Sequence, residues 1–509
     1  MYMVLRKRWQ VNWLLIATLL GSTTYLYLNL FNFHHVAFLL GGDQVYFWMD
    51  AQRLLHGDHI YRDFFQFTPP GTDLIYAALF RCFGMRIWVT NLTVLALGIA
   101  FSWVCFSLSG KFMGDQMAFL ATALFLVLIY GKALNGTNHW FAVLAITAAV
   151  NVAIGRTNPR RMAVAGSLLA LAAFFNQAHG ATALSGFVLF LFWRHFRARN
   201  KLGELAGNLA SLLFGFCVLL FFFNAYFIGS VGVKQLWYCQ VEYVLKYAAQ
   251  QHDGWSLGLP GTLTWRSLRK LAPYLPIYGI LPIVYCAAIW QSWRQRKNAS
   301  FPWERVALLS LVGLLLLIEV AIAVNWLRLY AVSLPGIILL VWIVAEKPQI
   351  RRYVATLAWV VIIGMALRQM ISSHASDFVE AEFPGGHLAT TPQAYEKLHW
   401  IAQRTQPGDL FLQAGWPGVY IPLQLRNPLY LATVEELAAA RPGDIELAIQ
   451  QVKSKEVHYI LWTAHLDKWC SPDHSCEDYL SPLRGYIDTA YTREHVFPDG
   501  DILWRRNHP

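Results

Sequence analysis

Hydrophobic positions in this chain come in long unbroken runs rather than in the short alternations of half-buried strands, and the runs are separated by brief polar segments. About 20 apolar residues are needed to cross the hydrocarbon of a bilayer. On that ruler eleven candidate spans stand out, at 11–33, 86–109, 117–131, 138–155, 162–176, 180–193, 203–229, 272–290, 306–324, 329–345 and 353–371. The pattern changes between the first two runs. Residues 45–55 read as a helix, His56-Gly57-Asp58 as a turn, and 74–83 as an apolar stretch too short to span, so both stretches are expected to lie along the membrane interface. It changes again after about Ser372. There an amphipathic helix at 391–406, a strand at 409–413, a helix at 444–453, a strand at 457–462 and a hairpin at 495–505 through Pro498-Asp499-Gly500 predict a small α/β domain. The expected architecture is mainly α: a polytopic membrane helix bundle over 1–371, with about 11 spans, followed by a soluble α/β domain over 372–509. The first run follows Arg6-Lys7-Arg8, exceeds a signal-peptide core and lacks a small-x-small cleavage site, so it reads as a retained span. No internal repeat is visible, which weakens inverted-repeat transporter folds.

Composition supports the membrane reading. The 509 residues are 56% hydrophobic and 14% charged, where a soluble domain carries roughly 25% charge. The net charge of +11 would suggest nucleic acid in a soluble chain, but here basic loops facing the cytoplasm explain it. With the N-terminus inside, the cytoplasmic loops carry 18 Lys and Arg against 9 in the opposite segments 34–73, 131–137, 177–179, 230–271 and 325–328, although these are longer in total. Eleven spans then put the tail domain outside. An integral multi-pass protein of a bacterial inner membrane is expected, with membrane lipids and no nucleic acid as partners.

Ionisable residues at or in a membrane cost several kcal/mol unless paired or hydrated, so each is a functional candidate. They gather on one side. The first outer loop offers Asp43, Asp50, Arg53, Asp58, Arg62, Asp63 and Asp73; the loop 230–271 offers Lys234, Glu242 and Lys246; Arg328 sits at the outer end of two spans. Glu319 lies well inside a span and calls for a partner such as Arg328 or for a polar cavity. The string Asn176-Gln177-Ala178-His179-Gly180 interrupts two apolar runs; His179 could contact a phosphate or an acceptor, and a tight polar turn explains it equally well. His34-His35 has no third ligand at a recognisable spacing, so no metal site is expected there. Cys470 and Cys476 bracket a short loop in the tail and form a disulfide candidate, whereas Cys82, Cys105, Cys217, Cys239 and Cys286 read as buried small apolar residues.

The segment Gly41-Gly42-Asp43-Gln44-Val45-Tyr46, followed by Leu54-Leu55-x-Gly57, Tyr61-x-Asp63 and Pro69-Pro70-Gly71, resembles the first outer loop of GT-C glycosyltransferases, a class that includes protein O-mannosyltransferases and aminoarabinose transferases. Arg328-x-Tyr330 with Pro335 looks like the same class's Arg-Tyr-x(4)-Pro stretch. The resemblance implies a membrane enzyme that transfers a sugar from a polyprenyl-phosphate donor to a glycan, lipid or protein acceptor, with inversion at the anomeric carbon. It implies Asp43 as the catalytic carboxylate. From their chemistry Arg328, Tyr330, Lys234, His179, Tyr61 and Asp63 are the candidates for binding phosphate or substrate; the alternatives are a snorkelling cation for Arg328, a solvated loop lysine for Lys234 and ordinary interfacial tyrosines for Tyr61 and Tyr330. Physical logic agrees: an attacking hydroxyl needs a base, and a leaving phosphate needs cations. The alternative for Asp43 is an N-cap for the following helix. The class often has an acidic pair where this chain has Asp43-Gln44, which counts against a metal carried by that pair; a divalent metal is otherwise left open. The rival functions are a transporter or lipid flippase, which would need polar residues at mid-depth, and a non-catalytic scaffold.

Overall fold

The computed structural model describes residues 12–155, 157–198, 201–250, 264, 279–295, 301–321, 326–375, 377–441, 443–467 and 478–507. Among the described residues, a helix falls within each predicted apolar run. α1 (Trp13–Leu30) is followed by the two loop helices α2 (Gln44–Leu55) and α3 (Gly71–Phe83), then by α4 (Ile87–Ser109), α5 (Asp115–Leu128), α6 (Asn138–Ala153), α7 (Pro159–Phe175), α8 (Gln177–Ala198) and α9 (Leu202–Trp237). Helices Leu281–Arg294, Trp303–Val320, Trp326–Val332, Leu334–Ala345 and Pro348–Ala375 complete the bundle. Among the described residues, five helical stretches are long and apolar enough to cross a membrane: Trp13–Leu30, Ile87–Ser109, Asp115–Lys132, Leu202–Lys246 and Pro348–Ala375. The run expected as one span at 329–345 is broken. Pro335, in the first turn of Leu334–Ala345, has no N–H to give to the carbonyl of the preceding turn, which leaves Trp326–Val332 as a separate short helix.

Two observations fit an apolar solvent around the bundle. Leu357, Val360 and Ile363 on Pro348–Ala375, and Phe214, Phe221 and Phe222 on α9, are exposed large apolar side chains. The expectation that all five isolated cysteines are buried also fails. Cys105 and Cys239 are buried, but Cys82, Cys217 and Cys286 are exposed, because a helix facing lipid is apolar on its outer face as well. Inside, small residues let helices meet closely. A Cβ on Gly166 of α7 would lie 2.0 Å from the carbonyl oxygen of Leu212, and one on Gly215 of α9 would lie 2.2 Å from that of Ala163.

The tail builds a mixed sheet from β4 (Phe411–Gln413), β5 (Tyr459–Trp462), β6 (Tyr491–Val496) and β7 (Ile502–Arg506), in the order β4-β5-β7-β6. β4 and β5 are parallel, and β7 pairs antiparallel with β5 and β6. Helices Pro392–Ala402, Asp444–Ser454 and Ser481–Ala490 accompany it. The last helix was not foreseen in the sequence. Neither was a second sheet, in which β3 (Gly386–Thr390) pairs with β2 (Val379–Phe383) on one side. On its other side β3 runs parallel to β1 (Ala37–Phe38) of the first loop, with Ala37 opposite Leu388. Further ties hold the tail to that loop. The Phe65 amide donates to the Tyr430 carbonyl at 2.8 Å, Arg53 Nη1 to the Leu429 carbonyl at 2.8 Å, and Trp416 Nε1 to the Gly42 carbonyl at 3.3 Å. Cys470 and Cys476 lie outside the described residues.

Candidate active site

Asp43 stands where the chain turns from β1 into α2. Gly42 takes a φ of 83°, a left-handed conformation that favours glycine, and this reverses the backbone just ahead of the carboxylate. Asp43 occupies the N-cap position of α2, yet its side chain makes no capping hydrogen bond. The cap role therefore does not consume the carboxylate. Half-buried, it is pushed above the usual carboxylate range by burial, while the positive charge of Arg328 pulls it back. Gln44, fully buried, uses both amide atoms on backbone: Nε2 donates to the Gly41 carbonyl at 2.8 Å, and Oε1 accepts from the Gly136 amide at 2.9 Å. The residue that replaces a second acid thus ties the first loop to the α5–α6 connection.

Arg328 lies on the short helix Trp326–Val332, and its charge also acts on His139 near the start of α6. A buried chain of polar groups runs on from there. His139 Nδ1 is 2.9 Å from His179 Nε2, and His179 Nδ1 is 2.7 Å from Glu319 Oε2. Asn176 caps α8 by accepting from the His179 amide at 3.0 Å, and its Nδ2 faces His139 Nδ1 at 3.3 Å. Glu319 therefore has a hydrogen-bonded partner in His179. His179, 1% exposed, has both ring nitrogens engaged by protein and offers neither to a ligand in this arrangement. His139 escaped the sequence reading because it opens an apolar run with nothing polar at helical spacing to mark it.

The other sequence candidates fall elsewhere. Tyr330 is half-buried against the bundle core. Lys234 is exposed near the end of α9, and Glu242 pairs with Lys246 at 3.4 Å. Tyr61 is a structural knot. Its φ is 70°, its hydroxyl donates to the Thr68 carbonyl at 3.1 Å and accepts from Gln240 at 2.8 Å, and its carbonyl accepts from Tyr430 at 3.2 Å. Asp63 is gripped by Arg62 at 2.8 and 3.0 Å, which holds its carboxyl below the usual range. Tyr61 and Asp63 instead line a polar cavity of about 1120 Å³ between the first loop and the tail, together with Arg53, Arg426, Arg441 and Lys455. Gly71 of the Pro-Pro-Gly segment has a packing role: a Cβ there would sit 2.6 Å from the Phe174 carbonyl oxygen.

A second acidic group lies behind α2. Asp50 and Asp73 are both buried, and Gln66 Nε2 donates to Asp50 Oδ2 at 2.8 Å and reaches Asp73 Oδ1 at 3.4 Å. Burial pushes Asp50 up to about 7, and pushes Asp73 well above the carboxylate range with help from the charge of Asp50. Glu436 of the tail, also buried, is pushed up to about 8. Among the described residues no three His, Cys, Asp or Glu side chains are grouped to hold a metal ion. With Gln44 committed to backbone as well, the donors beside Asp43 do not fit a divalent ion.

A helical bundle with helices long and apolar enough to cross a membrane, whose first loop carries a half-buried carboxylate and two short helices, defines an integral membrane protein with a GT-C-like fold. The likeness is to two solved proteins in particular. The oligosaccharyltransferase of Archaeoglobus fulgidus, solved as a complex with Zn and sulfate, matches with a TM-score of 0.55 and 14% identity over 97% of this chain and 73% of that one. ArnT from Cupriavidus metallidurans bound to undecaprenyl phosphate matches with a TM-score of 0.59 and 12% identity over 96% of this chain and 97% of that one. No protein-family model matches the sequence, and no curated protein is significantly similar to it.

Proposed function

We propose that this protein is a membrane glycosyltransferase that moves a sugar from a polyprenyl-phosphate-linked donor to an acceptor hydroxyl, with Asp43 as general base and Arg328 as the cation facing the leaving phosphate. The observation that carries this reading is that Asp43, half-buried at the end of the first loop and not used as a helix cap, keeps its carboxylate within the field of Arg328, a residue far away in sequence. The fold supports it, since a structure of this architecture binds undecaprenyl phosphate. In the reaction the acceptor oxygen attacks the anomeric carbon on the face opposite the phosphate, and its proton passes to the Asp43 carboxylate. The bond from the anomeric carbon to the phosphate oxygen breaks with its electron pair leaving on the phosphate, where the Arg328 guanidinium offsets the charge, and the configuration inverts. A carboxyl raised by burial is a stronger base than one in water, which suits the task.

In this reading the bundle spans 1–371 with eleven crossings, the N-terminus is cytoplasmic, and the tail 372–509 lies outside a bacterial inner membrane, where it bounds the route of a glycan, lipid or protein acceptor. The test is transfer of radiolabelled sugar from a panel of polyprenyl-phosphate donors in membranes holding the wild type or Asp43→Asn. The variant is expected to lose about 100-fold or more in rate while still inserting. Unchanged transfer would move the base elsewhere, and no transfer from any donor would favour a transporter or scaffold.

A further inference from the structure

Two cavities at the far end of α2 from Asp43 differ in chemistry and share a wall. The first, of about 640 Å³, is bounded by Leu54, Ile60 and Leu74 of the first loop and by Phe174, Phe223 and Phe227 of α7 and α9. The second is the polar cavity of about 1120 Å³ between the first loop and the tail. Asp58 lines both, so they abut. α9 carries the change from one to the other. Side chains four apart share a helix face; Phe222, Tyr226 and Ser230 form one such row, and Phe223, Phe227 and Val231 the next. The first two of each row line the apolar cavity and the third lines the polar one. Tyr226, 59% exposed, places its hydroxyl 2.8 Å from His59 Nδ1 and marks the level where hydrocarbon gives way to polar groups. Phe222 is 72% exposed on a helix apolar enough to cross a membrane, which leaves the apolar cavity open to lipid.

The polar cavity holds more positive charge than its own acids neutralise. Arg53 uses its donors within the protein, on Asp58 at 3.2 Å, the Leu429 carbonyl at 2.8 Å and the Asp63 carbonyl at 3.0 Å, and Arg62 is taken by the Asp63 carboxylate at 2.8 Å. Asp444 accepts from the backbone amide of Arg441 at 2.9 Å. Arg426 and Arg441 also line the cavity, yet their side chains enter no ion pair among the described residues; Arg426 is half-buried, and the Arg441 guanidinium lies 3.4 Å over the Tyr238 ring. The Lys455 ammonium donates to the Pro428 carbonyl, and partial burial with the charges of Arg53 and Arg426 holds it below the usual lysine range, Asp58 pulling the other way. Surroundings that disfavour a cation favour an anion, and a guanidinium matches phosphate oxygens in pairs.

We propose that the two cavities together hold one phosphate-headed lipid of the surrounding membrane, its chain lying in the apolar cavity along Phe222, Phe223 and Phe227 and its phosphate in the polar cavity at Arg426 and Arg441. Neither half accounts for the arrangement alone. A soluble anion has no use for the aromatic rows, and an uncharged lipid leaves two guanidinium groups unmatched. Arg53 follows Asp43 by ten residues of α2, about 15 Å at 1.5 Å per residue, so this lipid is additional to a donor whose phosphate faces Arg328. Held there, it bridges α9, the first loop and the tail. The site depends on the membrane setting of the bundle and not on sugar transfer.

Binding of phosphatidylglycerol and of diacylglycerol with the same acyl chains, each in detergent micelles, to the purified full chain tests this, with the ratio of the two affinities as the headgroup readout. A distorted protein weakens both lipids, whereas a lost phosphate contact lowers only the ratio. The wild type is expected to prefer phosphatidylglycerol, and the double variant Arg426→Gln/Arg441→Gln to lose about 10-fold or more of that preference while binding diacylglycerol as before. Phe222→Ala is expected to weaken both lipids about 3-fold or more and to leave the ratio unchanged. Glycerol phosphate, the same anion without a chain, is expected to bind about 100-fold more weakly than the lipid. Equal affinity of the wild type for the two lipids, or an unchanged ratio in the double variant, would overturn the phosphate assignment. Glycerol phosphate binding as tightly as phosphatidylglycerol, or Phe222→Ala without effect on either lipid, would overturn the lipid as occupant.

Discussion

Replacing Asp50 by asparagine is expected to stabilise this protein at alkaline pH and to leave it nearly unchanged in acid. Asp50 is 1% exposed, beside the equally buried Asp73, and both are reached by the one Gln66 amide nitrogen. Burial raises Asp50 from 3.8 to about 7, with the charge of Arg53 and the Gln66 hydrogen bond pulling the other way. An unfolded chain releases this proton near pH ~4. Between roughly pH 4 and 7 the folded protein therefore holds a proton that the unfolded chain has lost, so its stability falls as pH rises through that window. A rise of about three units corresponds to about 4 kcal/mol at most, and to about 2 kcal/mol if Asp73 takes over the shared proton. Asparagine has the same shape, keeps an oxygen for Gln66 and never ionises. For a chain of this length, unfolding entropy is about 1 kcal/mol/K, so the gain at pH 8 should appear as about 2–4 °C in Tm. The assay is thermal unfolding of the detergent-purified protein at pH 5 and pH 8, followed by the fluorescence of its 21 tryptophans. Glu436, raised to about 8 by burial, keeps part of the pH slope in the variant. Equal loss of stability at both pH values in Asp50→Asn would refute the reasoning, since it would mean that the ionised carboxylate is the stabilising form.

Two further outcomes follow from the geometry. Since Asp43 must be ionised to act as a base and burial raises it, the acid limb of kcat/KM should lie above the usual carboxylate range. Removing the charge that lowers it, in Arg328→Ala, should move that limb to still higher pH, whereas Arg328→Lys should hold it near the wild-type position. Gly166→Ala should cost about 1–3 kcal/mol, read as a lower Tm, because the new methyl would sit 2.0 Å from the Leu212 carbonyl oxygen and must push α7 and α9 apart; an unchanged Tm would mean that the crossing is loose.

The sequence by itself determined the membrane-bound helical class, because runs of some 20 apolar residues have no other stable use. It located the helices α2 and α3 from their periodicity, and the tail's strands at 411–413 and 459–462 from turn residues and β-branched or aromatic positions. The Gly41-Gly42 turn ahead of Asp43 was legible as well, and Gly42 does take a left-handed conformation there. Tertiary structure decided what such a local signal cannot carry. Tyr61 and Asp63 stood in the same motif as Asp43, yet their partners Gln240 and Arg62 commit them to holding the loop's shape. His179 looked available because neighbouring residues in sequence do not bond to its ring; Glu319 and His139, brought in from other helices, occupy both nitrogens. The β1–β3 pairing that binds the tail to the first loop was equally hidden, since a two-residue strand has no periodicity to read. Local pattern fixes which segments form helices and which face is apolar. Which side chains meet depends on how the helices cross, and that is set by small residues such as Gly166 and Gly215, whose meaning appears only once their neighbours are in place.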